Sequence, residues 1–317
     1  MAKSTRQAFG EALARLGEQH PEIVTLDADL SKSTKSELFA KKFPNRFYEM
    51  GIAEANMIGT AAGLSFMGKL PFLCSFGCFI TGRYDTIRLS VAYAQANVRI
   101  VGTHSGVGIG DDGHSQMGLE DVSLMRALPT MGVFQPMDAT ETEHIMDYLV
   151  KEWKGPAYLR LTRQNLPDLS AQYLKNIPFQ PLRLVQLCGP AKDSPPARIA
   201  CIGTGAGTAE AVLAAEILRK RGIEIAVWNA HCLKPFDEKT ALEIGKQAQL
   251  VITVEDHTVL GGLGSCVAET FASQAQHAKL IRIGVQDTFG ESGDPAELYD
   301  KFGISAKAIA ERIMSAL

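Results

Sequence analysis

Apolar positions along this chain repeat with two periods, and stretches of the two kinds take turns. Phe9, Ala12, Leu13 and Leu16 recur at helical spacing, with Ser4 or Thr5 placed to cap that helix. Ile23 to Leu26 follows as a short apolar run, which reads as a buried strand. Ala53 to Met67 predicts a helix rich in small residues, as close packing requires. Leu70 to Cys74, Val98 to Gly102, Met131 to Phe134 and Ala157 to Leu161 read as further strands, with helical patterns between them. Such alternation predicts a parallel sheet covered by helices on both faces.

The pattern breaks near Pro181. The stretch from Pro181 to Ala197 holds Pro181, Gly189, Pro190, Pro195 and Pro196 and reads as a linker. A second alternation then begins, with strands expected at Ile199 to Ile202, Ile223 to Trp228, Leu250 to Val254 and Leu280 to Ile283. The expected architecture is α/β: two doubly wound domains with mainly parallel sheets, one over residues 1–185 and one over 186–317. A length of 317 residues suits two domains.

Composition narrows the function only a little. Hydrophobic residues make up 46% and charged residues 21%, and 35 acidic against 32 basic side chains leave a net charge of -3. No basic stripe points to nucleic acid, and no apolar stretch approaches the length of a membrane span. Met1 to Arg6 has no apolar run behind its charges, so no signal peptide is expected. The six cysteines form no C-x-x-C pair, and Cys74, Cys78, Cys201 and Cys266 sit among apolar or small residues, which suits reduced core thiols. A cytoplasmic protein is the simplest reading.

Four segments of the first half carry candidate chemistry. In Gly51-Ile52-Ala53-Glu54-Ala55-Asn56-Met57 a glutamate opens an apolar helix. It is either a surface or capping residue, or a buried carboxyl, which is costly unless paired or protonated. Pro71 to Phe79 ends a strand with Phe76 and Phe79 three residues apart, either core aromatics or the wall of a pocket for a flat nitrogen heterocycle. Thr103 to Gln116 is a glycine-rich loop after a strand, lacking the Gly-Lys-Ser/Thr ending of a nucleotide loop. Its His and Asp spacing matches no standard metal ligand set, so no metal is assigned to this chain. Loops at strand ends are where parallel sheets place ligands, and His104 and Asp112 are candidates to hydrogen-bond a polyhydroxylated substrate. Arg163, after the next strand, either grips a phosphate with its planar fork or pairs with Asp168. In the second half, Gly203 to Gly207 reads as a tight turn. Glu255-Asp256-His257 followed by Gly261 to Gly264 reads as a strand end with a close backbone approach, a candidate subunit interface.

Four segments, in order and at matching spacing, resemble the transketolase family. Asp29 to Thr34 resembles its D-L-x-x-S segment, Gly51 to Met57 its G-x-x-E-x-x-M, and Thr103 to Gly113 its T-H-D-S-I-G-x-G-E-D-G. Thr162 to Pro167 resembles S-R-Q-N-L-P, which is close to diagnostic. The resemblance starts where that family's pyrimidine-binding domain starts. The Gly-Asp-Gly…Asn motif of the family's amino-terminal domain, which binds Mg²⁺ and the cofactor diphosphate, is not found in residues 1–317. The resemblance implies a carboxy-terminal subunit dependent on thiamine diphosphate, with Mg²⁺ and the diphosphate held by an amino-terminal partner in a heterotetramer of two copies of each. Glu54 then matches the glutamate that bonds a ring nitrogen of the aminopyrimidine and favours its imino tautomer, helped by the tighter proton-holding of a desolvated carboxyl. Phe79 matches the stacking aromatic, with Phe76 beside it, and Asp29 falls in a cofactor-binding segment. Arg6, Ser33, His104 and Arg163 match the residues that hold the substrate phosphate, and Asp112 the aspartate that contacts a substrate hydroxyl.

Two positions depart from the family. Its loop continues P-T-H-Q where this chain has His114-Ser115-Gln116-Met117, so Gln116 stands at the histidine position and His114 two residues before it. The third pocket aromatic aligns with Gly82, with Tyr84 nearby. The implied reaction is transfer of a two-carbon ketol unit from a ketose phosphate to an aldose. The alternatives are the beta subunit of a 2-oxo acid dehydrogenase, which needs no sugar-phosphate clamp, and a catalytically silent homologue that serves as an interaction subunit.

Overall fold

The computed structural model describes residues 2–190 and 195–317. Strand β1 (Lys3–Ser4) leads into the helix Thr5–Gln19, which Ser4 caps by accepting a hydrogen bond from the Gln7 amide at 3.4 Å. Six strands then build a parallel sheet: β2 (Ile23–Asp27), β3 (Phe47–Glu49), β4 (Leu70–Phe76), β5 (Arg99–Thr103), β6 (Gly132–Phe134) and β7 (Ala157–Arg160). Every position of β2, β4, β5 and β7 is buried, because helices cover both faces. The period of two sorts the strand residues between two cores. Phe72, Cys74, Val101 and Leu159 join Phe9, Leu13, Ile145 and Leu149 on one face. Leu26, Leu73, Ile100 and Val133 join Met57, Ile58 and Ala61 of the helix Glu54–Phe66 on the other.

The remaining strands are β8 (Asn165–Leu166), β9 (Val185–Cys188), β10 (Ile199–Thr204), β11 (Ala226–Asn229), β12 (Cys232–Lys234), β13 (Leu250–Thr258) and β14 (Lys279–Val285). The second sheet runs β14-β13-β10-β11-β9, parallel except at its β9 edge. The mainly parallel α/β architecture expected from the sequence is therefore what the chain adopts. Two details differ. The proline-rich stretch is not all linker, because Val185–Cys188 pairs antiparallel with β11 and buries Leu187. Residues 191–194 of that stretch lie outside the described residues. And β12, from the second half, adds antiparallel to β6, so the first sheet reads β12-β6-β7-β5-β4-β2-β3. A three-residue strand has too few positions to show a period, so pattern reading passes over it.

Beneath the carboxyl ends of β5 and β7, Asp121 and Arg160 form a pair with no exposed side-chain surface, Arg160 Nε lying 2.9 Å from Asp121 Oδ2. Tyr158 Oη donates to the same oxygen at 2.6 Å. Arg160 Nη2 reaches across to the carbonyls of Gly118 and Asp256, both at 2.9 Å, so it joins the two halves. Among the described residues no helix is long and apolar enough to cross a membrane. All six cysteines are free, and Cys78 is only partly buried.

Candidate active site

The loops after β2, β4, β5 and β7 leave the same edge of the first sheet, and they carry most of the candidate residues. Asp27, at the end of β2, shapes the first loop. Its carboxylate accepts from Leu30 N and Thr34 Oγ1 at 2.7 Å and from Ser36 Oγ at 2.8 Å, and burial raises its pKa to about 6. The folded loop turns the Ser33 carbonyl to Arg6 Nη1 at 2.8 Å and holds Lys35 with φ +70°. Asp29 lies on the exposed side, also at positive φ, with its amide donating to Glu49 Oε1 at 2.8 Å.

Arg6 begins far from Arg163 in sequence and ends beside it. The ribbon of β1 and β8 pairs Lys3 with Leu166, and Thr5 Oγ1 accepts from Thr162 N at 2.8 Å. Arg6 Nη1 also lies 3.0 Å from His104 Nε2, while Thr103 Oγ1 lies 2.9 Å from His104 Nδ1. Because the guanidinium is only a donor, His104 Nε2 accepts and Nδ1 carries the proton. Arg163 Nη1 donates to the Ile109 carbonyl at 2.5 Å and stands 3.6 Å from Asp112 Oδ2. Of the two partners open to Arg163 in the sequence, the local acid Asp168 is committed elsewhere, accepting from Ala171 N at 3.0 Å. Arg6, Lys35, Arg163, Gly108 to Asp111 and Gln164 line one open cleft of about 600 Å³. The Arg6 pKa is lowered by burial and then by the charge of Arg163. Two guanidiniums lining one cleft favour an anion between them.

Burial, with the charges of Arg6, Arg163 and Lys35, pushes the His104 pKa from 6.5 down to about 3. The folded imidazole is therefore neutral where the unfolded one still binds a proton. Stability contributed by this group rises with pH from about 3 to 6.5 and is complete above that window. His104→Asn is expected to flatten this rise in Tm, and the wild-type ring resonances are expected to stay constant between about pH 5 and pH 8. A titration in that range would contradict the assignment.

The second group lies next to this cleft. Phe76 is buried, stacked on His104 at 3.7 Å between ring centroids and on Phe79 at 5.4 Å. Phe79 is only half-buried and offers the accessible ring. Glu54, 5% exposed, opens its helix with Arg83 Nη2 3.8 Å from Oε2. Arg83 lies just past the short helix Gly77–Thr81 that carries Phe79, so carboxyl and ring belong to one region. Tyr84 packs against the core, and Gly82 has no side chain to add there.

The second half of the glycine-rich loop turns away from Arg6 and Arg163. His114 stacks obliquely on Phe289 at 5.3 Å and lines a separate cleft of about 720 Å³ with Cys78, Met117 and Glu120. Gln116 is half-buried, its amide bonded to the Gly113 carbonyl at 3.1 Å. Sequence reasoning passed over Lys35, Asp27 and Arg83. Lys35 lies inside the Asp29 to Thr34 neighbourhood, but nothing local shows that its side chain turns to the same cleft as Arg163. Among the described residues no three His, Cys, Asp or Glu side chains gather as a metal ligand set.

A sheet-edge cleft with paired arginines, next to a buried glutamate and stacked phenylalanines, defines a two-part site on an α/β scaffold. The sequence matches the transketolase pyrimidine-binding domain over residues 1–168 and the transketolase C-terminal domain over residues 191–309. The chain belongs to the transketolase family. It is 41% identical to a putative transketolase C-terminal section from Methanocaldococcus jannaschii, over 98% of this chain and 96% of that protein. It is 38% identical to the 6-deoxy-6-sulfo-D-fructose transketolase subunit SqwH of a Clostridium species, over 96% of this chain and 91% of that protein. With human transketolase the identity is 37% over 98% of this chain, which spans 48% of the human protein. Among solved structures it is similar to a split gene transketolase described as an inactive beta4 tetramer, with TM-score 0.85, 40% identity, and coverage of 100% and 99% of the two chains. Pichia stipitis transketolase shares the fold, with TM-score 0.80 at 23% identity over 99% of this chain and 46% of that one.

Proposed function

We propose that this chain is the carboxy-terminal subunit of a thiamine diphosphate-dependent transketolase, moving a two-carbon ketol unit from a ketose phosphate to an aldose. The observation that carries this reading is the anion cleft: Arg6, Arg163 and Lys35 at one sheet edge, with neutral His104 beside Phe76. An acyl-transferring oxo-acid dehydrogenase subunit has no use for such a clamp.

The residues present fit the pyrimidine half of the cofactor, since a nearly buried carboxyl and an accessible phenyl face meet in one region. When bound, thiamine diphosphate supplies the nucleophilic carbon and the electron sink for cleaving a carbon–carbon bond beside a carbonyl. On this reading Glu54 holds or shares a proton at a pyrimidine nitrogen, and Phe79 stacks on the ring with Phe76 behind it. Arg6, Arg163 and Lys35 take the anionic end of the sugar, while the Ser33 carbonyl and His104 fix Arg6 in place. Asp112, now 3.6 Å from Arg163, is placed to accept from a substrate hydroxyl once the anion engages the arginine.

The diphosphate and Mg²⁺ fall to an amino-terminal partner. The helix that Glu54 opens is flanked by apolar surface suited to burial against another polypeptide: Ile52 before it and Met67 after it are both 81% exposed, Phe66 at its end is 63% and Tyr93 84%. Gly59 and Gly63 of the same helix leave open space where side chains would stand, so a backbone can approach closely. An assembly of two copies of each subunit gives two active sites.

The test is reconstitution. The chain alone is expected to show no saturable Mg²⁺-dependent binding of thiamine diphosphate by calorimetry, whereas the pair binds it and transfers ketol units without decarboxylating 2-oxo acids. Micromolar binding by the isolated chain would refute the partner dependence. Oxo-acid decarboxylation by the pair would overturn the transketolase reading. A sulfonate is also a tetrahedral oxyanion that paired arginines bind, and one relative is named for a sulfonated fructose. The assay therefore includes phosphorylated and sulfonated sugars side by side.

A further inference from the structure

The glycine-rich loop that floors the anion cleft is held from the second domain. At the end of β13 stands Asp256, 1% exposed. Its Oδ1 accepts from the Val107 amide at 2.8 Å, and its Oδ2 from the Tyr299 hydroxyl at 2.8 Å and the Gly108 amide at 3.4 Å. Gln164, next to Arg163, donates from Nε2 to the same hydroxyl at 2.7 Å. Three donors converge on a group that has no proton of its own to offer, which a carboxylate satisfies and an amide does not.

The loop is built around this carboxylate. Gly106 has φ +90°, and a Cβ there would lie 2.1 Å from Asp256 Oδ2. A Cβ on Gly108 would lie 2.2 Å from Gln164 Nε2. One residue further on, the Ile109 carbonyl takes the hydrogen bond from Arg163 Nη1, and Gly108 to Asp111 line the cleft. The backbone height at Val107 and Gly108 therefore sets where Ile109 holds Arg163 and where Asp112 stands.

We propose that Asp256 is a positioning residue: from the C-terminal domain it clamps the 106–108 backbone, so that Arg163 and Asp112 are held ready for the anionic sugar. It acts through the loop and touches no reacting atom. This gives the second domain a task in the site, and its kinetic consequence rests on the transketolase reading above.

The experiment uses the assembled pair with Asp256→Asn and, as the milder variant that keeps the carboxylate, Tyr299→Phe. Amide hydrogen exchange in peptides spanning residues 105–112 reads the clamp directly. Hydrogen–deuterium exchange at the thiazolium carbon of bound cofactor reads the Glu54 region. Losing a buried charge-assisted bond is expected to speed loop exchange and raise KM for the phosphorylated sugar about tenfold or more in Asp256→Asn, and less in Tyr299→Phe. Thiazolium exchange is expected to stay near the wild-type rate in both. Unchanged loop exchange in an active pair overturns the clamp and leaves the transketolase reading standing. Faster loop exchange in the variant, beside a wild-type pair inactive toward every sugar, supports the clamp and sinks that reading instead. Faster exchange throughout the chain, with a slowed thiazolium carbon, would make Asp256 a general folding residue and overturn the positioning role.

Discussion

Glu54→Gln in the assembled pair is expected to lower kcat by ~10²–10⁴-fold, while cofactor affinity falls far less. Glutamine keeps the size of the side chain and one hydrogen bond but has no proton to share with the pyrimidine. The position is 5% exposed, so water is poorly placed to take over that task. The ring face of Phe79 and, on the proposed reading, the partner's hold on the diphosphate are untouched by the change, which is why cofactor binding survives. Arg83, 3.8 Å from the carboxylate, loses its partner but is half-exposed and stays solvated, so little stability is lost. Exchange at the thiazolium carbon, followed by NMR in the assembled pair, separates activation of the cofactor from later steps. An unchanged exchange rate in the variant would remove Glu54 from the activating role.

Arg163→Ala is expected to act selectively. A bidentate, charge-assisted contact to phosphate is worth a few kcal/mol when desolvated, so kcat/KM for phosphorylated sugars should fall about a hundredfold. The matched free sugars lack the anion and should lose much less. Some common loss is expected, because Arg163 Nη1 also holds the Ile109 carbonyl. Arg163→Lys keeps the charge but not the planar fork, and is expected to fall between wild type and alanine. Equal losses on phosphorylated and free sugars would mean that Arg163 only supports the loop, and the clamp would have to be abandoned.

Which parts of this site were legible beforehand follows from how each is encoded. Glu54 and the Phe76–Phe79 pair lie within one helix start and one strand end, so their neighbourhood is a matter of local sequence. The burial of Glu54, which the heptapeptide alone left open, was decided by the packing of its helix and of Arg83 beyond Phe79. In the sequence Gln116 stands at the family's histidine position, with His114 two residues before it. In the folded loop His114 goes to Phe289 of the other domain, and the loop reaches it through Gly110 and Gly113, whose φ of +81° and +79° favour glycine.

By itself the sequence determined the alternation of strands and helices, the two α/β halves and the order of the chemistry-bearing segments. Those features rest on periodicity and on motifs a few residues long, which local sterics and burial enforce wherever the chain goes. Tertiary structure alone decided which segments meet. Thr5 bonds Thr162 across 157 residues, and with that contact Arg6 arrives beside Arg163. Lys35 turns into the same cleft only because Asp27 gathers the loop around its buried carboxylate. Asp256 reaches the 106–108 backbone because the end of β13 comes against the loop after β5, and there a fully buried carboxylate must find donors from whatever lies against it.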